Sequence, residues 1–190
     1  MEVDEKRNCG GVIMDKDNIL IRKVRISDAR EYILLLNSVW RSSYQDIFPE
    51  EVFIDLENRL EERIKKFPNK FFNDDKRMCY VAICNGVMVG LIYGIVQSEY
   101  DYFGENNFAD LVSLYIKPEY QNMGLGRKLK EVFEEWARAN GAKKYVIGVL
   151  KENKNARVIY EKWGGKLDSH EQEFRRLGIG YDEVFYTYDL

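Results

Sequence analysis

The chain has one histidine, three prolines and three cysteines in 190 residues, and no long apolar run. Each shortage closes off a class of function. The cysteines, Cys9, Cys79 and Cys84, form no CxxC pair, and with a lone His170 they do not make a zinc site of ordinary spacing. No metal cofactor is therefore expected. The N-terminal MEVDEKRNCGG lacks the apolar stretch of a signal peptide, so a cytoplasmic chain with reduced, structural thiols is expected. No segment approaches the roughly 18 apolar residues of a membrane helix, which argues against a membrane partner. A net charge of −3 leaves no basic surplus and argues against general nucleic-acid binding. His170 lies in the polar stretch DSHEQEF, where a solvated loop histidine is a better expectation than a general base.

Basic residues are also missing locally. From Met78 to Ile116 there is no lysine or arginine, while Glu99, Asp101, Glu105 and Asp110 stand among Tyr93, Tyr100, Tyr102, Phe103 and Tyr115. Such an acidic, aromatic rim suits a cationic amine by charge attraction and cation–π contact, although a solvated loop between strands explains the same residues.

With 45% apolar and 32% charged residues, the chain has the balance of a soluble globular domain. Residues 1–18 read as a loose polar arm, and 19–190 as a single domain. ILIRKVRI (19–26) reads as a strand, with Ser27 and Asp28 as caps for a helix beginning AREYILLL. Pro49 suits the first turn of a second helix running to about Phe67. MCYVAICNGVMVGLIYGIV gives two apolar strands about an Asn-Gly turn. FADLVSLYI reads as a further strand. The next helix puts Leu125, Leu129, Val132, Phe133 and Trp136 on one face and stops at Asn140-Gly141. KKYVIGVL, a short helix in NKNARVIYEKWGG, and a last strand or two ending in VFYTYDL complete an α/β (α+β) mixed sheet flanked by helices.

The junction IKPEYQNMGLGRK asks for a ligand. Gly124 and Gly126 remove Cβ atoms from a loop that opens straight into a helix, whose free N–H groups and positive dipole end favour an anion such as a phosphate. A dinucleotide fold would want a third glycine where Leu129 stands and an earlier position in the chain. A triphosphate loop would want G-K-[ST], which is absent.

Gln121-x-x-Gly124-x-Gly126 instead resembles motif A of the Gcn5-related N-acetyltransferases (GNAT). Asn153-x-x-Ala156-x-x-x-Tyr160-Glu-Lys-x-Gly164 resembles their motif B in spacing and identity. AICNGVMVGLIYG is similar to the family's second and third strands, and WRSSYQDIFPEE to its aromatic segment between the first two helices. The resemblance covers roughly 19–190. It implies a mostly antiparallel sheet with splayed central strands that bind acetyl-coenzyme A as cosubstrate. It implies pyrophosphate contacts from the backbone of Asn122, Met123, Gly124, Leu125, Gly126 and Arg127, with the Gln121 side chain nearby. Pantetheine would pair with the backbone at Leu114, Tyr115 and Ile116, and the Leu114 N–H would polarise the thioester carbonyl.

Tyr160 is implied as the proton donor to the departing thiolate, although it also falls on an apolar helical stripe with Ala156, Ile159 and Trp163. Asn153 matches the asparagine that bonds pantetheine, although an Asn before a helix is often just a cap. Asp110 sits where the histone-acetylating branch carries Glu; it would act as base through water, or be a solvated strand-start carboxylate. Gly148 stands where the branch acting on ribosomal-protein N-termini commonly has Glu, which counts against that branch. Trp40, Tyr44 and Tyr115 would wall the acceptor. The expected reaction is direct acetyl transfer to a primary amine, with a small cationic amine favoured. A protein lysine or N-terminal acceptor, or a non-catalytic acyl-coenzyme A sensor, stays open. Dimers are common in the family, so a homodimer is admitted.

Overall fold

The computed structural model describes residues 18–72 and 75–190, with the backbone of two short paired strands, β1 (Asn8–Cys9) and β2 (Val12–Ile13). The expected loose arm at residues 1–18 falls, apart from those strands and Asn18, outside the described residues. The main sheet has seven strands. In spatial order they are β3 (Ile19–Lys23), β4 (Arg77–Cys84), β5 (Val87–Ile95), β6 (Ala109–Ile116), β7 (Lys144–Leu150), β9 (Ile179–Asp189) and β8 (Lys166–Arg176). Every neighbouring pair is antiparallel except β6 with β7. Helices α1 (Ala29–Tyr44), α2 (Glu50–Asn58), α3 (Leu60–Phe71), α4 (Asp101–Glu105), α5 (Leu125–Ala139) and α6 (Lys154–Lys162) complete the mixed α/β architecture.

The central strands are buried on both faces. Along β4, Met78 and Ala82 belong to the core that includes Leu129 and Phe133 of α5, while Cys79 and Val81 join Tyr32 and Val39 of α1. Alternating residues thus meet apolar partners on either side, so β4 reads as a nearly unbroken apolar run. The Asn85-Gly86 turn is left-handed at both positions, with φ of 50° and 81°, as a type I′ hairpin requires.

Two expectations need correcting. The helix expected from Pro49 to about Phe67 is two helices, broken at Arg59 and ending at Phe71. α2 sends Val52, Phe53 and Leu56 to one aromatic cluster with Phe48 and Leu150, whereas Phe67 of α3 packs with Tyr32 and Val81. One straight helix could not reach both clusters. His170 is not on a solvated loop: it lies within β8, half-buried, stacked on Tyr102 at 4.5 Å and edge-on to Phe103 at 5.7 Å.

Candidate active site

β6 and β7 pair only at Ala109–Tyr145 and Asp110–Val146, and then part. Between Asp110 and Ser113, β6 carries one residue more than the facing stretch of β5, a bulge that bends β6 at the point of separation. The Lys117 N–H donates to the Val89 carbonyl at 2.9 Å. By the alternation of an antiparallel ladder, the N–H and C=O groups of Leu114 and Ile116 therefore turn away from β5, into the gap. The gap is a cleft of about 660 Å³, walled by β6, β7, the loop before α5 and one face of α6. An extended ligand entering it could pair with β6 as an added strand.

At one end of the cleft lies the glycine loop. Gln121 Nε2 donates to the Ile116 carbonyl at 3.0 Å, tying the loop to the strand end and leaving the Leu114 and Ile116 N–H groups for a guest. Asn122 and Gly124 are left-handed, with φ of 59° and 80°, and a Cβ on Gly124 would project into open space. α5 begins immediately, with no side-chain cap, so its first-turn N–H groups point outward at the positive end of the dipole. Gly126 lines the cleft too, and its bareness also serves packing: a Cβ there would lie 3.2 Å from Trp163 and 3.4 Å from Ile116, so α5 can approach the end of α6. Leu125 is buried in the core and offers only backbone, and Met123 is not on the cleft wall. Arg127 lines the cleft and takes part in no ion pair among the described residues.

α6 provides the opposite wall. Asn153 caps it, its Oδ1 accepting the Ala156 N–H at 3.2 Å, and Asn153 also lines the cleft beside Tyr44. Tyr160 is half-buried on the cleft wall. Burial first, and Tyr44 next, hold its pKa above the ordinary phenol value, so the group keeps a proton to give. The backbone carbonyl of Tyr160 accepts from the Tyr188 hydroxyl at 2.9 Å, anchoring this turn of α6 to β9.

The acceptor side is aromatic. Trp40 packs on Tyr44 at 5.3 Å, and the Tyr44 and Tyr115 hydroxyls lie 3.4 Å apart. Tyr44 and Tyr115 line the cleft, while Trp40 backs them from the aromatic cluster of α2. Tyr93 is buried between α1 and the sheet, its hydroxyl bonded to Arg77, so it belongs to the core and not to a rim.

Asp110 is 3% exposed, so the solvated strand-start alternative is overturned. Its Oδ2 accepts from Ser98 Oγ at 3.2 Å and its Oδ1 has no partner. Burial, opposed by the Ser98 bond and aided by Glu183 and Glu99, pushes its pKa up to about 7. It lies behind the cleft wall, not on it.

A family model described as the acetyltransferase (GNAT) family matches residues 36–165. The chain belongs to the GNAT acetyltransferase family. This GNAT protein is 25% identical over 169 residues to YuaI of Bacillus subtilis, an uncharacterized N-acetyltransferase, covering 87% of this chain and 90% of that one. It is also 25% identical over 158 residues to the spermidine N(1)-acetyltransferase of Thermoplasma acidophilum, covering 80% and 90%. The PaiA N-acetyltransferase of T. acidophilum, solved in complex with coenzyme A, has the same fold, with a TM-score of 0.68 at 21% identity over 90% of this chain and 99% of that one.

Proposed function

We propose that this GNAT protein transfers acetyl from acetyl-coenzyme A directly to a small cationic primary amine. The observation that carries the reading is the continuity of the cleft. Outward-turned backbone at Leu114 and Ile116 leads straight to the left-handed loop and bare helix start at Asn122–Arg127. The first part suits an amide-bearing pantetheine arm and the second a pyrophosphate. The Leu114 N–H then polarises the thioester carbonyl, and Tyr160 donates a proton to the leaving thiolate. Asp110 stands behind the wall, where a water could connect it to the amine.

Neither cysteine whose side chain is described suits a cysteine-bound intermediate. Cys79 is buried, and burial pushes its thiol up to about 12, while Cys84 is buried as well. A thiol that holds its proton is no nucleophile. The preference for a small amine rests on the enclosing tyrosines and on the spermidine-acetylating relative.

The test is an acetyl-coenzyme A assay against spermidine, simple alkylamines and peptides with free N-termini or lysines. Release of free thiol is expected with the small amines. Stoichiometric cofactor binding with no thiol released by any acceptor would identify a sensor instead, and turnover of peptides alone would move the acceptor class.

A further inference from the structure

Gly148 lies on β7 two residues past the last pairing with β6, and it lines the cleft. It has no room for a side chain. A Cβ there would fall 2.6 Å from the Tyr100 hydroxyl and 2.8 Å from Glu183 Oε1. A carboxylate from the neighbouring strand therefore occupies the space that a β7 side chain would fill. Glu183 Oε1 accepts from Tyr100 Oη at 3.0 Å, and its Oε2 accepts from Gln172 Nε2 at 3.0 Å. Glu183 is 6% exposed.

A second, independent feature points the same way. Asp110, on β6, lies close enough to raise its own pKa through the Glu183 charge, and its buried Oδ1 has no partner. No ion pair among the described residues uses either carboxylate. Tyr100 ahead of α4 and Gln172 on β8 bond Glu183, its charge is felt by Asp110 on β6 and Tyr44 on α1, and His170 of β8 is held against Tyr102 and Phe185. Tyr100, Asp110, Tyr44 and Gln172 bring no cation to the carboxylate. Buried carboxyls without a cation are costly, and an ammonium ion at the bare Gly148 wall would meet Glu183, which stands directly behind it.

Building on the acetyltransferase reading, we infer that Glu183, standing in the place left by Gly148, is the carboxylate that docks the acceptor ammonium and takes its proton. In the first step an N–H bond of the ammonium breaks and an O–H bond forms on Glu183, leaving a neutral amine. Its nitrogen then forms the C–N bond as the thioester C–S bond breaks, and the second amine proton ends on the coenzyme A sulfur. Glu183 finally returns its proton to solvent. One ammonium and one acetyl thioester thus give one amide, one thiol and one released proton.

The test uses Glu183→Gln, an isosteric change, with spermidine as probe. Spermidine is titrated into coenzyme A-saturated protein at pH 7, and turnover is followed from pH 7 to 10. The variant is expected to bind spermidine at least tenfold more weakly and to lose roughly 10²-fold in kcat/KM at pH 7. That loss should shrink toward pH 10, where the amine deprotonates unaided. Tyr100→Phe, which removes a hydrogen bond stabilising the carboxylate, should move the acidic limb of the profile upward. Equal spermidine binding by parent and variant, binding by neither, or a rate loss that does not change with pH overturns the inference. So does a rate carried by Asp110 alone, seen as Asp110→Asn losing activity while Glu183→Gln keeps it. Coenzyme A affinity, measured first by titrating the cofactor into each unliganded protein, reports separately on the acetyltransferase reading.

Discussion

Among single residues, two groups have their protons held by desolvation, Tyr160 and Asp110. Tyr160 keeps its proton because the ionised phenolate would be desolvated. Replacing it with Phe removes the donor and keeps the ring packed near Trp163 and Tyr186. Tyr160→Phe is expected to lower kcat by roughly 10²-fold with coenzyme A affinity nearly intact; full activity in a steady-state assay would contradict its role. Asp110 carries a stability signature. Its folded-state pKa of about 7 exceeds the ordinary carboxylate value of about 4. A group raised in this way stabilises the fold fully below pH 4, and that contribution is lost as pH rises through 7. Asp110→Asn, which mimics the protonated form, should therefore match the parent near pH 4 and become progressively more stable than it toward pH 8. Urea melts across that range measure the gap, and a constant gap would show the carboxyl to be solvated.

At the scale of elements, what could be read from sequence depended on whether local chemistry and burial agreed. Asn85-Gly86 announced its hairpin because both residues tolerate the left-handed conformation the turn needs. The loop from Gln121 to Arg127 was legible because a left-handed glycine and a helix start are local features. β8 was not legible. Its inward positions are Asp168, His170, Gln172, Phe174 and Arg176, all polar but Phe174, so the apolar period of two disappears. They point inward because partners await them: Gln172 bonds Glu183, Arg176 bonds Asp55 at 2.9 Å, and His170 and Phe174 meet aromatic rings. The β8–β9 turn is equally disguised, since Leu177 adopts φ of 48° before Gly178. A left-handed leucine costs about 1–2 kcal/mol, and this one is 51% exposed, so little burial offsets it. Leu177→Asn should raise stability by about 1 kcal/mol and Tm by about 2–4 °C. An unchanged or lower Tm would mean that the leucine makes a contact worth as much as the strain.

At the scale of the whole molecule, the sheet brings together groups far apart in sequence: the α5 loop, the α6 tyrosine and carboxyls from β6 and β9. No single segment displays that constellation, which is why Glu183, more than seventy residues beyond Asp110, carried no sequence signal. If an ammonium must lose its proton before attack, turnover should climb from pH 6 toward 9, and a flat profile would place another step in control. The central claim is that coenzyme A enters the parted strands with its pyrophosphate on the Asn122–Arg127 backbone. Calorimetric titration of coenzyme A into the parent protein and Gly124→Val tests it most directly. A β-branched side chain there is strained at φ of 80° and fills the open space in front of the loop. The expected result is one-to-one binding by the parent and at least tenfold weaker binding, about 1.4 kcal/mol, by the variant. No binding by the parent, or equal affinity in the two proteins, would contradict the account.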